Sequence, residues 1–124
     1  RVGIASRCST AGLHRTDRFF EMAPPDSQNA AALGEAGVLK ATVGSGQKEL
    51  AFAIPSTDTN ATLRVYVDHS VQETYAQGGR GVVTSRMYPP DDALGVKVFC
   101  DGPSAVTLLG MEVWEMDSIW VDKV

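Results

Sequence analysis

Apolar residues recur at every second position along much of the chain. From Lys48 to Ile54 they are Leu50, Phe52 and Ile54; from Leu63 to Asp68, Leu63, Val65 and Val67 point one way while Arg64, Tyr66 and Asp68 point the other. Successive side chains of a β-strand leave on opposite faces, so this period predicts half-buried strands rather than helices. Similar short runs occupy Asp17–Met22, Gly37–Val43, Val71–Tyr75, Val82–Tyr88, Gly95–Phe99 and Val106–Met116. Turn formers separate them: Gly44-Ser45-Gly46, Gly78-Gly79, Pro89-Pro90-Asp91-Asp92 and Asp101-Gly102-Pro103. Asp26–Ala36 is rich in alanine, but Gly34 and Gly37 interrupt it and two prolines precede it, so it reads as a loop with one helical turn at most. About eight or nine short strands with such turns predict an all-β fold, an antiparallel β-sandwich, with a closed barrel as the alternative.

The 124 residues make one domain's worth of chain, read as a single sandwich over 1–124. With 44% hydrophobic and 21% charged residues the composition is that of a folded domain. The net charge of -4, with 11 Lys and Arg scattered among 15 Asp and Glu, argues against nucleic acid and acidic membrane surfaces as partners. No apolar run approaches the roughly 18 residues that span a bilayer. The chain starts at Arg1, which reads as a processed product or a piece of a longer protein.

Candidate chemistry is sparse. Asp68-His69-Ser70 contains the residue types of a hydrolytic triad, but on a strand His69 would face away from both neighbours; in a turn, Asp68 and Ser70 serve as local hydrogen-bonding residues. His14 reads as solvated. Glu73 alternates with Val71 and Tyr75, and a carboxylate on an apolar face must find a partner or stay wet; a salt bridge to Arg80 or Arg86 is the plain reading. Cys8 and Cys100 lack CxxC or Cys-His spacing, so no metal and no cofactor is expected; they form one disulfide in a secreted protein, or remain two separate thiols. Gly44-Ser45-Gly46 before Lys48 lacks Walker spacing and reads as a hairpin turn. Asn60-Ala61-Thr62 is an N-glycosylation sequon in a polar loop. Trp114, Trp120, Met111 and Met116 form an apolar group near the end of the chain, expected in a core or an interface.

The uninterrupted stretch LRVYVDHSVQETYAQGGRGVVTSRMYP, Leu63 to Pro89, resembles the signature segment of the C-terminal β-sandwich of glycoside hydrolase family 32, which includes plant-type invertases, fructan exohydrolases and fructosyltransferases. The similarity extends more loosely through GVKVF, from Gly95, and VWEMDSIW, from Val113; the first 60 residues match poorly. It implies strands on either side of His69-Ser70, with Gly78-Gly79 as the next tight turn, and makes Asp68, Ser70, Gly78, Gly79 and Pro89 structural signature residues. In such enzymes the sandwich packs against a five-bladed propeller that carries three catalytic carboxylates in Asn-Asp-Pro, Arg-Asp-Pro and Glu-Cys blocks, and none of these blocks occurs in this chain. The resemblance therefore implies a non-catalytic module that stabilises a propeller and shapes the cleft between the domains, with Glu73, Gln77 and Arg86 reaching that interface. It implies a propeller partner, fructo-oligosaccharides as ligands, and a secreted, cell-wall or vacuolar glycoprotein. A free-standing carbohydrate-binding sandwich is the alternative.

Overall fold

A computed structural model describes residues 2–8, 16–22, 38–45, 48–55, 57–102 and 105–117. Eight strands are found among them: β1 Val2–Cys8, β2 Thr16–Met22, β3 Val38–Ser45, β4 Lys48–Pro55, β5 Leu63–Asp68, β6 Val71–Ala76, β7 Gly81–Arg86 and β8 Gly95–Cys100. One sheet has the order β4-β3-β2-β1-β8 and the other β5-β6-β7, and every neighbouring pair is antiparallel. Two sheets with β6 and β7 lying against β3 and β4 make the arrangement a sandwich, as the alternation predicts, and not a closed barrel.

The register explains which side chains meet. In the small sheet one face carries the rows Leu63–Ala76–Gly81, Val65–Thr74–Val83 and Val67–Gln72–Ser85. This face turns inward, where Ala76 and Val83 join Val43 of β3 and Ile54 of β4 in a buried core flanked by Phe52 and Leu63. Gly81 sits at the closest approach. A Cβ there would lie 2.8 Å from Phe52 Cδ1 and 3.0 Å from Val43 Cγ1, so only a residue without a side chain lets the sheets meet at this height. Gln72 and Thr74 are fully buried on the same face, and neither the Gln72 amide nor the Thr74 hydroxyl has a hydrogen-bond partner. Interior polar atoms left in this state cost stability.

Three expectations change. The face shared by Val71, Glu73 and Tyr75 is the outer one, because pairing on both sides of β6 turns Gln72, Thr74 and Ala76 toward the core. Strand β1 was not anticipated, since Gly3, Ser6 and Arg7 interrupt its apolar pattern; it earns its place by pairing with both β2 and β8. Val106–Met116 forms no strand, and Val106, Leu108, Leu109, Met111, Val113, Trp114 and Met116 are exposed. Alternation chooses the faces of a strand but supplies no edge to pair with, and among the described residues no strand pairs with this segment. The Asp26–Ala36 loop, His14 and Trp120 lie outside the described residues.

Candidate functional site

The outer face of β5-β6-β7 gathers the residues with chemistry to offer. Its rows are Arg64–Tyr75–Val82, Tyr66–Glu73–Thr84 and Asp68–Val71–Arg86. Tyr66 and Tyr75 lie diagonally across adjacent strands and meet edge to face, with ring centroids 5.8 Å apart and planes at 88°. The Tyr75 hydroxyl donates to Glu73 Oε2 at 3.4 Å. The negative charge of Glu73, then partial burial, then this hydrogen bond raise the Tyr75 pKa above its ordinary value, so the phenol stays a neutral donor. The salt bridge expected for Glu73 is replaced by this contact: Arg80 pairs with Asp58, and the Arg86 guanidinium lies 5.4 Å from the centroid of the Tyr88 ring. Beside the tyrosines an open groove of about 680 Å³ is lined by Thr62, Leu63, Arg64, Tyr66, Tyr75 and Gly78.

At the end of β6 the chain turns through three residues with positive φ: Gln77 at 48°, Gly78 at 66° and Gly79 at 102°. The two glycines accept this conformation freely, whereas Gln77 carries a Cβ and is strained. Its side chain compensates. Gln77 Oε1 accepts from the Thr62 backbone N at 2.7 Å and from Thr62 Oγ1 at 3.3 Å, while Nε2 donates to Asp58 Oδ2 at 3.1 Å and to the Asn60 carbonyl at 3.0 Å. The Gln77 backbone N also donates to the Thr62 carbonyl at 3.0 Å. Arg80 Nη1 completes the clamp by donating to Asp58 Oδ2 at 2.6 Å. One amide thus fixes the 58–62 loop that forms one end of the groove.

The residues singled out in the sequence fall into separate places. Glu73 and Arg86 share the outer face; Gln77 stands at its end, inside the clamp. Asp68 closes β5, and His69 and Ser70 form the two-residue turn into β6, with His69 at a φ of 44° and the Ser70 carbonyl accepting from the Met87 backbone N at 2.8 Å. His69 is exposed in this turn. Gly78 and Gly79 make the second turn, Pro89 is half-buried beyond β7, and Asn60 is exposed. The sequence leaves a Cys8–Cys100 disulfide and two separate thiols both open. Cys8 stands opposite Gly95 and Cys100 opposite Val2, and the five residue steps of β8 from Gly95 to Cys100 extend roughly 16 Å at about 3.3 Å each, against a bridging limit of about 7 Å. The Cys100 sulfur forms no disulfide. Among the described residues no group of three or more His, Cys, Asp or Glu side chains could hold a metal, and no helix is long and apolar enough to cross a membrane. Sequence reasoning gave no site role to Arg64, Tyr66, Tyr75 and Asp58, and it offered Arg80 to Glu73 where the structure pairs it with Asp58. Alternation put Arg64 and Tyr66 on one face, but only cross-strand register sets them beside Tyr75.

The model of the family described as "Glycosyl hydrolases family 32 C terminal" matches residues 2–115. The chain belongs to this family. This family 32 C-terminal domain is 41% identical over 65 residues to the beta-fructofuranosidase, insoluble isoenzyme CWINV6, of Arabidopsis thaliana, covering 50% of the chain and 12% of that protein. It is 40% identical over 63 residues to an acid beta-fructofuranosidase of Vigna radiata var. radiata, covering 48% of the chain and 10% of the relative. An acid beta-fructofuranosidase of Solanum lycopersicum is 34% identical over 79 residues, which is 60% of the chain and 12% of that protein. The matched stretches thus span only about a tenth of the length of these relatives. No solved structure matches this chain.

Proposed function

We propose that this chain is the non-catalytic C-terminal sandwich of a β-fructofuranosidase-type enzyme, a unit spanning 1–124 that stabilises a catalytic β-propeller and shapes the cleft between the two. The observation that carries the reading is the family match over residues 2–115, in a chain without the carboxylate blocks of the propeller. The outer face of β5-β6-β7 is the docking surface in this reading. Glu73 and Arg86 offer one carboxylate and one guanidinium for charge-assisted hydrogen bonds, and Tyr66 adds a half-exposed ring. Gln77 acts at one remove by holding the 58–62 loop. The parent enzyme acts on sucrose or a fructan and works outside the cell, in the cell wall, or in the vacuole. That setting draws on relatives whose names include an insoluble and a vacuolar isoenzyme. The purified chain is expected to release no fructose from sucrose or inulin; hydrolysis by the chain alone would sink the proposal. In the two-domain parent, Arg86→Ala and Glu73→Ala should each lower the unfolding temperature more than they do in the isolated chain.

A second reading draws on the groove beside the tyrosines. A ring face, a guanidinium and backbone at Gly78 are the groups that bind a hydroxyl-rich ligand, so the sandwich alone would take up fructo-oligosaccharides. Calorimetry with these sugars separates the two. Heat of binding that disappears in Tyr66→Ala favours the carbohydrate module, and an absence of binding favours the accessory domain.

A further inference from the structure

We infer that the groove beside Tyr66 and Tyr75 binds a carboxylate-bearing sugar, a uronate, through the Arg64 guanidinium. Four residues of the outer face form a square, with Arg64 opposite Tyr75 across β5 and β6 and Tyr66 opposite Glu73. The two tyrosines occupy one diagonal and touch, with ring centroids 5.8 Å apart. Arg64 and Glu73, on the other diagonal, are therefore separated by the ring pair. The Glu73 carboxylate is engaged by the Tyr75 hydroxyl at 3.4 Å. Among the described residues no hydrogen bond or ion pair engages the Arg64 guanidinium. Arg64 is exposed and lines the groove, and Glu73 does not line it.

The charges around the groove select the ligand. Its lining holds one guanidinium and no carboxylate, and Asp58, in the loop at its end, is already paired with Arg80 at 2.6 Å. A free guanidinium presents a planar fork that fits the two oxygens of a carboxylate and balances a single negative charge. A phosphate monoester would bring nearly two, with the Glu73 carboxylate just beyond the rings. The rest of the lining suits a sugar ring. Tyr66 offers a half-exposed apolar ring surface, and the Tyr75 hydroxyl, whose proton goes to Glu73, keeps lone pairs that accept from a sugar hydroxyl. A Cβ at Gly78 would meet nothing within 4 Å, so the groove is open over the backbone there. The Gln77 clamp holds the Thr62 backbone N and hydroxyl, at 2.7 Å and 3.3 Å, which fixes this end of the groove before a ligand arrives. The inference rests on the second reading above in taking the groove as a sugar site, and adds to it the requirement for one negative charge.

Calorimetry on the full chain with three sugars tests this: trigalacturonate, its methyl ester and a neutral fructo-trisaccharide. The acid is expected to bind about tenfold or more tighter than its ester, the effect of a hydrogen bond to a charged group, and the preference should shrink as salt is raised. Arg64→Gln should abolish the preference and leave the unfolding temperature unchanged, because the side chain it replaces is exposed and unpaired. Equal binding of acid and ester, or a preference that survives in Arg64→Gln, overturns the inference. Binding of the neutral trisaccharide that depends on Tyr66 would then leave the second reading standing. No binding of any of the three sugars overturns both.

Discussion

Strand β5 and the segment Val106–Met116 both carry apolar residues at two-residue spacing, with changes of phase in the second, and meet different ends. Leu63, Val65 and Val67 turn inward because β6 pairs with β5 along its whole length and places the row beside Ala76, Thr74 and Gln72. Val106, Leu108, Met111, Val113 and Trp114 have no such neighbour and stand in solvent. The difference teaches that period two is a statement about faces. Whether a face becomes core depends on an edge being available for its backbone and a second layer for its side chains.

The largest expected effect breaks this comparison with one kind of substitution in two places. Ile54→Ala should cost about 2–5 kcal/mol, because it empties volume between β4 and the inner face of the small sheet. Trp114→Ala, at a residue 74% exposed, should move stability by no more than about 0.5 kcal/mol despite removing a larger side chain. Urea unfolding of both variants checks this, and a large loss at Trp114 would mean that the segment is packed in solution. Next comes Gly81→Ala. The added carbon would stand 2.8 Å from Phe52, and overpacking of this kind costs about 1–3 kcal/mol, whereas Gly110→Ala, with open space around it, should be close to neutral.

Smaller still is the clamp. Gln77→Ala removes the four amide hydrogen bonds of an exposed loop and should cost about 1–2 kcal/mol. Gln77→Gly loses the same bonds but relieves the strain at a φ of 48°, so it should be the more stable of the two by about 1 kcal/mol. Thermal melts of both variants decide, and the reverse order would place the strain elsewhere. The smallest effect is at Tyr75. Its folded pKa is raised above the ordinary 10.0, so its contribution is fully present below that value and declines as pH rises through the folded pKa. Glu73→Gln removes the main cause, and the phenolate absorbance of Tyr75 should then appear at lower pH; an unchanged titration would show that Glu73 is not responsible.

Much of the small sheet was legible in its residues. His69-Ser70 and Gly78-Gly79 sit between alternating runs and are the turns that bound β6, and Leu63–Asp68 begins and ends where the pattern does. The candidate site was legible only in pieces. Glu73 and Arg86 were visible as polar residues of a signature, but Tyr66 meets Tyr75 through cross-strand register, and a single strand's pattern holds no register. The clamp joins Asp58, Asn60 and Thr62 to Gln77 and Arg80 across a whole strand pair, which no local pattern expresses. The spacing of the two cysteines in the fold was not legible either, since it follows from the alignment of β1 and β8.

The sequence by itself determined the class of fold and the family, because alternation, turn residues and a long signature are properties of neighbours along the chain. It also held the absence of the catalytic blocks and the presence of one sequon. Only the tertiary structure decided that Val71, Glu73 and Tyr75 face outward while Gln72 and Thr74 are buried, that Gly81 is the point of contact between sheets, and that Gln77 closes the 58–62 loop. These are matters of which strand lies beside which and in what register. Free energy is gained there by the fit of surfaces distant in sequence, and that fit cannot be read from either surface alone.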